Sequence, residues 1–108
     1  SGDDGTSMIS NLLGADGCIS VACNIIPKEF AKMMALSLAG KAAEAREIHY
    51  KYRHLMDLLF VESNPIPVKA ALAAMGMMKE EYRLPLCKMA NENKALLLAE
   101  MKKLGLIK

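Results

Sequence analysis

Apolar residues recur along this chain mostly at spacings of three and four, a period that predicts helix everywhere except in one short stretch. From Thr6 to Leu13, the residues Met8, Ile9, Leu12 and Leu13 share a face. Asp4 or Thr6 can cap the free N–H groups there, and Gly14 can stop the helix after about two turns. Cys18-Ile19-Ser20-Val21-Ala22-Cys23 follows the turn signal Asp16-Gly17 and has a different character. It is short, apolar and β-branched, as expected of a strand buried on both faces. Pro27 suits the first turn of a helix that carries Phe30, Met33, Met34 and Leu38 and stops at Gly40.

The longest helix is expected from Lys41 to about Val61. Its stripe of Ala45, Ile48, Tyr52, Leu55 and Leu59 is widened by Met56 and Phe60. Asn64 as N-cap, with Pro65 at the first helical position, opens a helix that buries Val68, Ala71, Leu72 and Met75 and ends at Gly76. Arg83-Leu84-Pro85-Leu86 breaks the pattern as a connector. Asn91 then caps a last helix with Leu97, Leu98, Met101 and Leu104, closed by Gly105. The expected product is five helices and one short strand. A lone buried strand needs neighbours, and nothing after Pro27 supplies them, so its partner strands are expected outside this chain.

With 53% hydrophobic and 24% charged residues, the 108-residue chain can bury a core, which argues against disorder. The 14 basic and 12 acidic residues are interspersed, leaving a formal charge of +2 and no basic run of the kind that nucleic acid attracts. Apolar runs such as Leu96-Leu97-Leu98-Ala99 fall well short of the roughly 20 residues needed to cross a membrane. No cationic start followed by an apolar stretch marks a secretory signal. Cys18, Cys23 and Cys87 form no Cys-x-x-Cys pair, which fits buried thiols in a reducing compartment and points to the cytoplasm.

Asn64-Pro65-Ile66-Pro67-Val68-Lys69-Ala70, with Leu84-Pro85-Leu86 downstream and Ser1-Gly2-Asp3-Asp4 upstream, resembles the C-terminal part of the dihydrodipicolinate synthase family. The resemblance covers essentially the whole chain. It implies a mostly α fragment of an α/β (β/α)8 TIM barrel with its C-terminal helical region. Residues 1–40 would then be the end of the barrel (loop after strand seven, helix, strand eight, helix), and 41–108 the C-terminal helical region. The implied activity is that of a lyase condensing pyruvate with aspartate semialdehyde in lysine and diaminopimelate biosynthesis, through a Schiff base on a lysine and with no cofactor. Family members are commonly homotetramers.

Barrel enzymes keep their active sites at the C-terminal ends of the strands. By resemblance, Gly2 lets backbone approach a small ligand, Asp3 lines the entrance, and the Ile19 carbonyl faces the substrate-bearing lysine. Capping at a helix start is the structural role open to both Asp3 and Asp4. The Schiff-base lysine, the proton-relaying hydroxyls and the carboxylate-binding arginine of the family fall N-terminal to Ser1, so no catalytic residue is expected in this chain and the fragment alone is expected to be inactive. Lys69 in its apolar helix is a tempting nucleophile, but it matches a lysine of the helical region, where a salt bridge or snorkelling contact is the expectation.

Other residues give weaker signals. Tyr52 is expected in a core or interface, with Tyr50 and Tyr82 at the surface. His49 and His54 stand about 140° apart around a helix, the wrong geometry for a shared metal, and are expected at the surface. The nine methionines largely follow packing stripes. Two other classes remain open at this point: a different pyruvate aldolase, such as an N-acetylneuraminate lyase or a 2-keto-3-deoxy sugar acid aldolase, and a non-enzymatic helical interaction module. In the synthase reading the partners are pyruvate, aspartate semialdehyde, the remaining barrel half and further copies of the chain, with neither nucleic acid nor membrane. The isolated chain is expected to expose a large apolar face and either to self-associate through its long helix or to depart from the native barrel arrangement.

Overall fold

A computed structural model describes all 108 residues and contains five α-helices, two short 3-10 turns and no strand. Residues 1–56 and 57–108 form two compact units.

In the first unit, a 3-10 turn at Asp4–Thr6 leads directly into α1, Ser7–Leu12. Thr6 holds the cap position of α1 as expected but makes no side-chain capping bond; the capping acceptor is Asp3, before the 3-10 turn, whose carboxylate accepts the Thr6 N–H at 3.0 Å. Of the apolar face expected on α1, only Met8 is buried, while Ile9, Leu12 and Leu13 are exposed. The helix instead turns Ser7 and Asn11 inward. Asn11 Nδ2 donates to Ser37 Oγ at 2.9 Å, which joins α1 to α2, Pro27–Leu38. Phe30 and Met33 of α2 are buried as expected, whereas Leu38 is half exposed. The helix ends where Gly40 adopts a φ of 76°, and the next N–H, from Lys41, reaches back to the Leu36 carbonyl at 2.9 Å. That reach requires a left-handed residue at Gly40, which a side chain would strain.

The strand expected at residues 18–23 does not form. Residues 18–20 carry no regular secondary structure, Val21 is already in the helical region of backbone space, and Ala22–Asn24 winds into a 3-10 turn that packs on α2. A strand is defined by its ladder, and here the ladder has one rung, at Ser1. The Ala22 N–H donates to the Asp4 carboxylate at 2.9 Å.

Helix α3 runs over Ala42–Leu58, within the expected span. Its stripe is buried at Ala45, Tyr52, Leu55 and Met56, with Ile48 partly covered. His49 is buried too, contrary to its expected surface position; its ring stands edge-on to Tyr50 at 5.5 Å between centroids. No helix of the chain is long and apolar enough to cross a membrane.

In the second unit, Leu59 is buried and Phe60 exposed. Helix α4 is Ile66–Ala74, with Pro65 rather than Asn64 at the cap position and Pro67 in the first turn. A first-turn proline forfeits no helical hydrogen bond, which is why two prolines are tolerated here. Ile66, Val68, Ala70 and Ala71 of α4 are buried, and the helix packs on α5, Asn91–Lys103, whose Leu97 and Met101 are buried as well. Asn91 lies inside α5 and does not cap it. The Glu62 carboxylate arrives from the other end of the unit and accepts the Ala90 N–H at 3.0 Å and Asn93 Nδ2 at 2.9 Å. The thiols are less buried than expected, Cys18 and Cys23 being partly covered and Cys87 exposed.

Candidate functional site

Two backbone segments of the first unit meet before any side chain takes part. The Ser1 amino group donates to the Gly17 carbonyl at 2.9 Å, and the Ile19 N–H donates to the Ser1 carbonyl at 2.8 Å. A residue bonded to both neighbours of a single facing residue makes one rung of a parallel ladder, here Ser1 opposite Cys18. The rung brings the loop holding Gly2 and Asp3 to the segment holding Ile19, and the Cys18 thiol lies 3.9 Å from the Asp3 carbonyl.

Each expected site residue has a definite place. Gly2 is exposed, and a Cβ built on it would meet nothing within 4 Å, so the space beside its backbone is open in this chain. Asp3 is exposed, and its Oδ2 accepts both the Thr6 N–H and, at 2.7 Å, the Thr6 hydroxyl. One carboxylate oxygen is thereby committed to holding the helix start. The Ile19 side chain is 86% exposed. Its N–H is used in the rung, and its carbonyl accepts none of the fold's hydrogen bonds.

Asp4 is the residue that sequence patterning misplaced. Its side chain is buried, Oδ2 accepts the Ala22 N–H at 2.9 Å, and Oδ1 is buried without a hydrogen-bond partner. Asp3 is the extended residue before the 3-10 turn and caps it, whereas Asp4 is the first residue of the turn and reaches across to Ala22. Nothing local in the sequence separates the two. Burial, with the nearby Asp4 carboxylate adding to it, pushes the Cys18 thiol above its ordinary value, so Cys18 stays protonated and is a poor nucleophile.

In the second unit, Lys69, Glu81, Tyr82 and Arg83 line an open cleft of about 420 Å³. Lys69 is half-buried and its ammonium is placed on an aromatic ring. Its Nζ sits 5.2 Å from the centroid of the Tyr82 ring, a cation–π placement. Tyr82 is partly covered rather than superficial, and burial, reinforced by Glu80, pushes its phenol up to about 12. The Tyr82 hydroxyl donates to Glu80 Oε1 at 3.3 Å, and Lys94 Nζ lies 2.8 Å from Glu80 Oε2. That ammonium holds the Glu80 carboxyl below its ordinary value. A protonated tyrosine bonded to a carboxylate already paired with a lysine is stable packing and offers no proton relay.

A model of the dihydrodipicolinate synthetase family matches residues 1–104. A 4-hydroxy-tetrahydrodipicolinate synthase of Methanococcus maripaludis is 48% identical over 108 residues, all of this chain and 37% of the relative. One of Methanocaldococcus jannaschii is 50% identical over 107 residues, 99% of this chain and 37% of the relative. Among solved structures, a dihydrodipicolinate synthase from Acinetobacter baumannii, complexed with pyruvate, superposes with a TM-score of 0.96 at 43% identity, covering 99% of this chain and 37% of its own. The chain thus spans little more than a third of the length of the proteins it matches, and its helices reproduce part of a barrel enzyme's structure.

Proposed function

Because the chain belongs to the dihydrodipicolinate synthetase family, we propose that it is the C-terminal part of a lyase that condenses pyruvate with aspartate semialdehyde in lysine and diaminopimelate biosynthesis. In this reading the barrel ends near residue 40, and the helices from residue 41 onward form the appended helical region. The observation that carries the reading is the rung at Ser1: in a chain of this family, it brings Gly2, Asp3 and Ile19, the residues the reading assigns to the barrel mouth, to one edge.

The chemistry runs through a lysine amine outside this chain. The amine adds to the keto carbon of pyruvate and expels water, leaving an iminium; loss of a methyl proton gives an enamine, whose carbon bonds to the aldehyde carbon. This chain would supply binding and orientation. Gly2 leaves room for the pyruvate portion, Asp3 stands at the entrance, and the Ile19 carbonyl receives a hydrogen bond from the reacting amine. The exposed Ile9, Leu12, Leu13 and Ile19 would cover, and be covered by, the remaining barrel or a further copy of the chain. The parent would be a cytoplasmic homo-oligomer.

Borohydride reduction in the presence of pyruvate, followed by peptide mass mapping, tests this proposal. A full-length parent should carry a reduced pyruvate adduct on a lysine N-terminal to Ser1, and the isolated 108-residue chain should carry none. An adduct on Lys69, or none in the parent, would overturn it.

A further inference from the structure

We propose that Arg53 is a positioning residue for Asp3, acting through the peptide unit between Gly5 and Thr6. The inference rests on the pyruvate-lyase reading above, which puts Asp3 at the entrance. Two contacts meet on that one peptide unit. Its N–H, from Thr6, donates to Asp3 Oδ2 at 3.0 Å, and its carbonyl, from Gly5, accepts a hydrogen bond from Arg53 Nη1 at 3.0 Å across 48 residues of sequence. The N–H and C=O of a trans peptide point in opposite directions, so the carboxylate and the guanidinium grip the unit from its two edges. A cation on the carbonyl polarises the amide and strengthens the bond that its N–H donates.

Residue 5 is fitted to this contact. Gly5 has no left-handed φ that would call for glycine. Instead, a Cβ built there would stand 2.7 Å from Arg53 Nη1 and 3.0 Å from its Cζ, so the guanidinium occupies the space of the missing side chain. Arg53 lies on α3, which the reading places in the appended helical region, and Gly5 follows the mouth loop that carries Gly2 and Asp3. The contact therefore works in addition to the barrel strands that frame the loop. Asp3, standing at the entrance, meets the incoming aldehyde and not the pyruvate already bound, so a loosened Asp3 should be felt in aldehyde binding.

The test uses the full-length parent, with variants assayed well below their unfolding midpoints. Arg53→Met keeps an apolar stem and removes the donor. At saturating pyruvate it should raise the KM for aspartate semialdehyde about fivefold, while kcat and the rate of borohydride-trapped pyruvate adduct formation stay within about twofold of wild type. Gly5→Ala, whose methyl displaces the flexible guanidinium at little cost to the fold, should raise that KM by a similar factor, and it stands in for Arg53→Met should that variant not fold. In an Asp3→Ala background, Arg53→Met should change the KM no further. An unfolding midpoint lowered by Arg53→Met with the aldehyde KM unchanged shows a merely structural role and overturns the inference. A further rise of the KM in the Asp3→Ala background also overturns it, since Arg53 would then act on the aldehyde by another route. Absence of trapping in the wild-type parent removes the lyase reading and this inference together, whereas normal trapping with an unaffected aldehyde KM in Arg53→Met removes the inference alone.

Discussion

Glu62 and Asn93 stand 31 residues apart in sequence and are joined by a 2.9 Å hydrogen bond, and the same Glu62 oxygen also accepts the Ala90 N–H. Helix α5 therefore begins under a carboxylate borrowed from the far end of its unit. Orphan N–H groups at a helix start are satisfied by an acceptor, and a negative charge there also favours the helix dipole. Glu62→Ala should cost about 1–2 kcal/mol of unfolding free energy, read as a lower urea midpoint at unchanged slope. Glu62→Gln, which keeps an acceptor, should recover most of the loss.

The Tyr82 phenol gives the second unit a pH limit on the alkaline side. Its folded pKa of about 12 lies above the ordinary tyrosine value of 10. The folded state therefore holds this proton more tightly than the unfolded state does. The stability so conferred is fully present below about pH 10 and is lost as the pH rises through 12. In a titration followed by phenolate absorbance, Tyr82 should ionise well above pH 10, and Glu80→Gln should bring it earlier by removing the adjacent carboxylate.

Lys69 tests the separation of the catalytic lysine from this chain. Its ammonium rests on the Tyr82 ring, a contact that gives the side chain a packing role. Lys69→Met should keep the side chain's apolar reach while removing the charge. In the full-length parent it should leave pyruvate trapping within about twofold of wild type while lowering stability by about 0.5–1 kcal/mol. Loss of trapping would return Lys69 to the reaction.

How much of this was legible in the sequence depends on range. The helices were, because a period of three and four is written locally, and so was the stop at Gly40, where a left-handed φ favours glycine. The caps were not. Asn64 and Asn91 have the right chemistry, yet Pro65 and Ala90 hold the cap positions, and the acceptor for α5 is Glu62, which no local pattern connects to it. The strand failed for the same reason, since a ladder is a relation between segments and the apolar run at residues 18–23 carries only its own half. At the candidate site, resemblance supplied Gly2, Asp3 and Ile19, but only coordinates could show that Asp4, the neighbour of the capping Asp3, crosses to Ala22.

A cluster of uncovered aliphatic residues lies on α1 and its C-terminal end, whereas the aliphatic stripe expected on the long helix is largely covered. The α3 stripe at Ala45, Tyr52, Leu55 and Met56 is buried within the chain, whereas Ile9 is 51%, Leu12 39% and Leu13 84% exposed. These three fall on adjoining turns and form a patch of the kind that drives association in water. Fully covering one such leucine is worth about 1.5–3 kcal/mol, so a contact burying several of them can hold copies together at micromolar concentration. The isolated chain should sediment as an oligomer and bind an apolar dye, and Leu13→Glu should shift it toward monomer with reduced dye fluorescence. Association that survives Leu13→Glu and Ile9→Lys together, yet disappears with Phe60→Glu, would place the contact after the long helix instead, where Phe60 is 45% exposed.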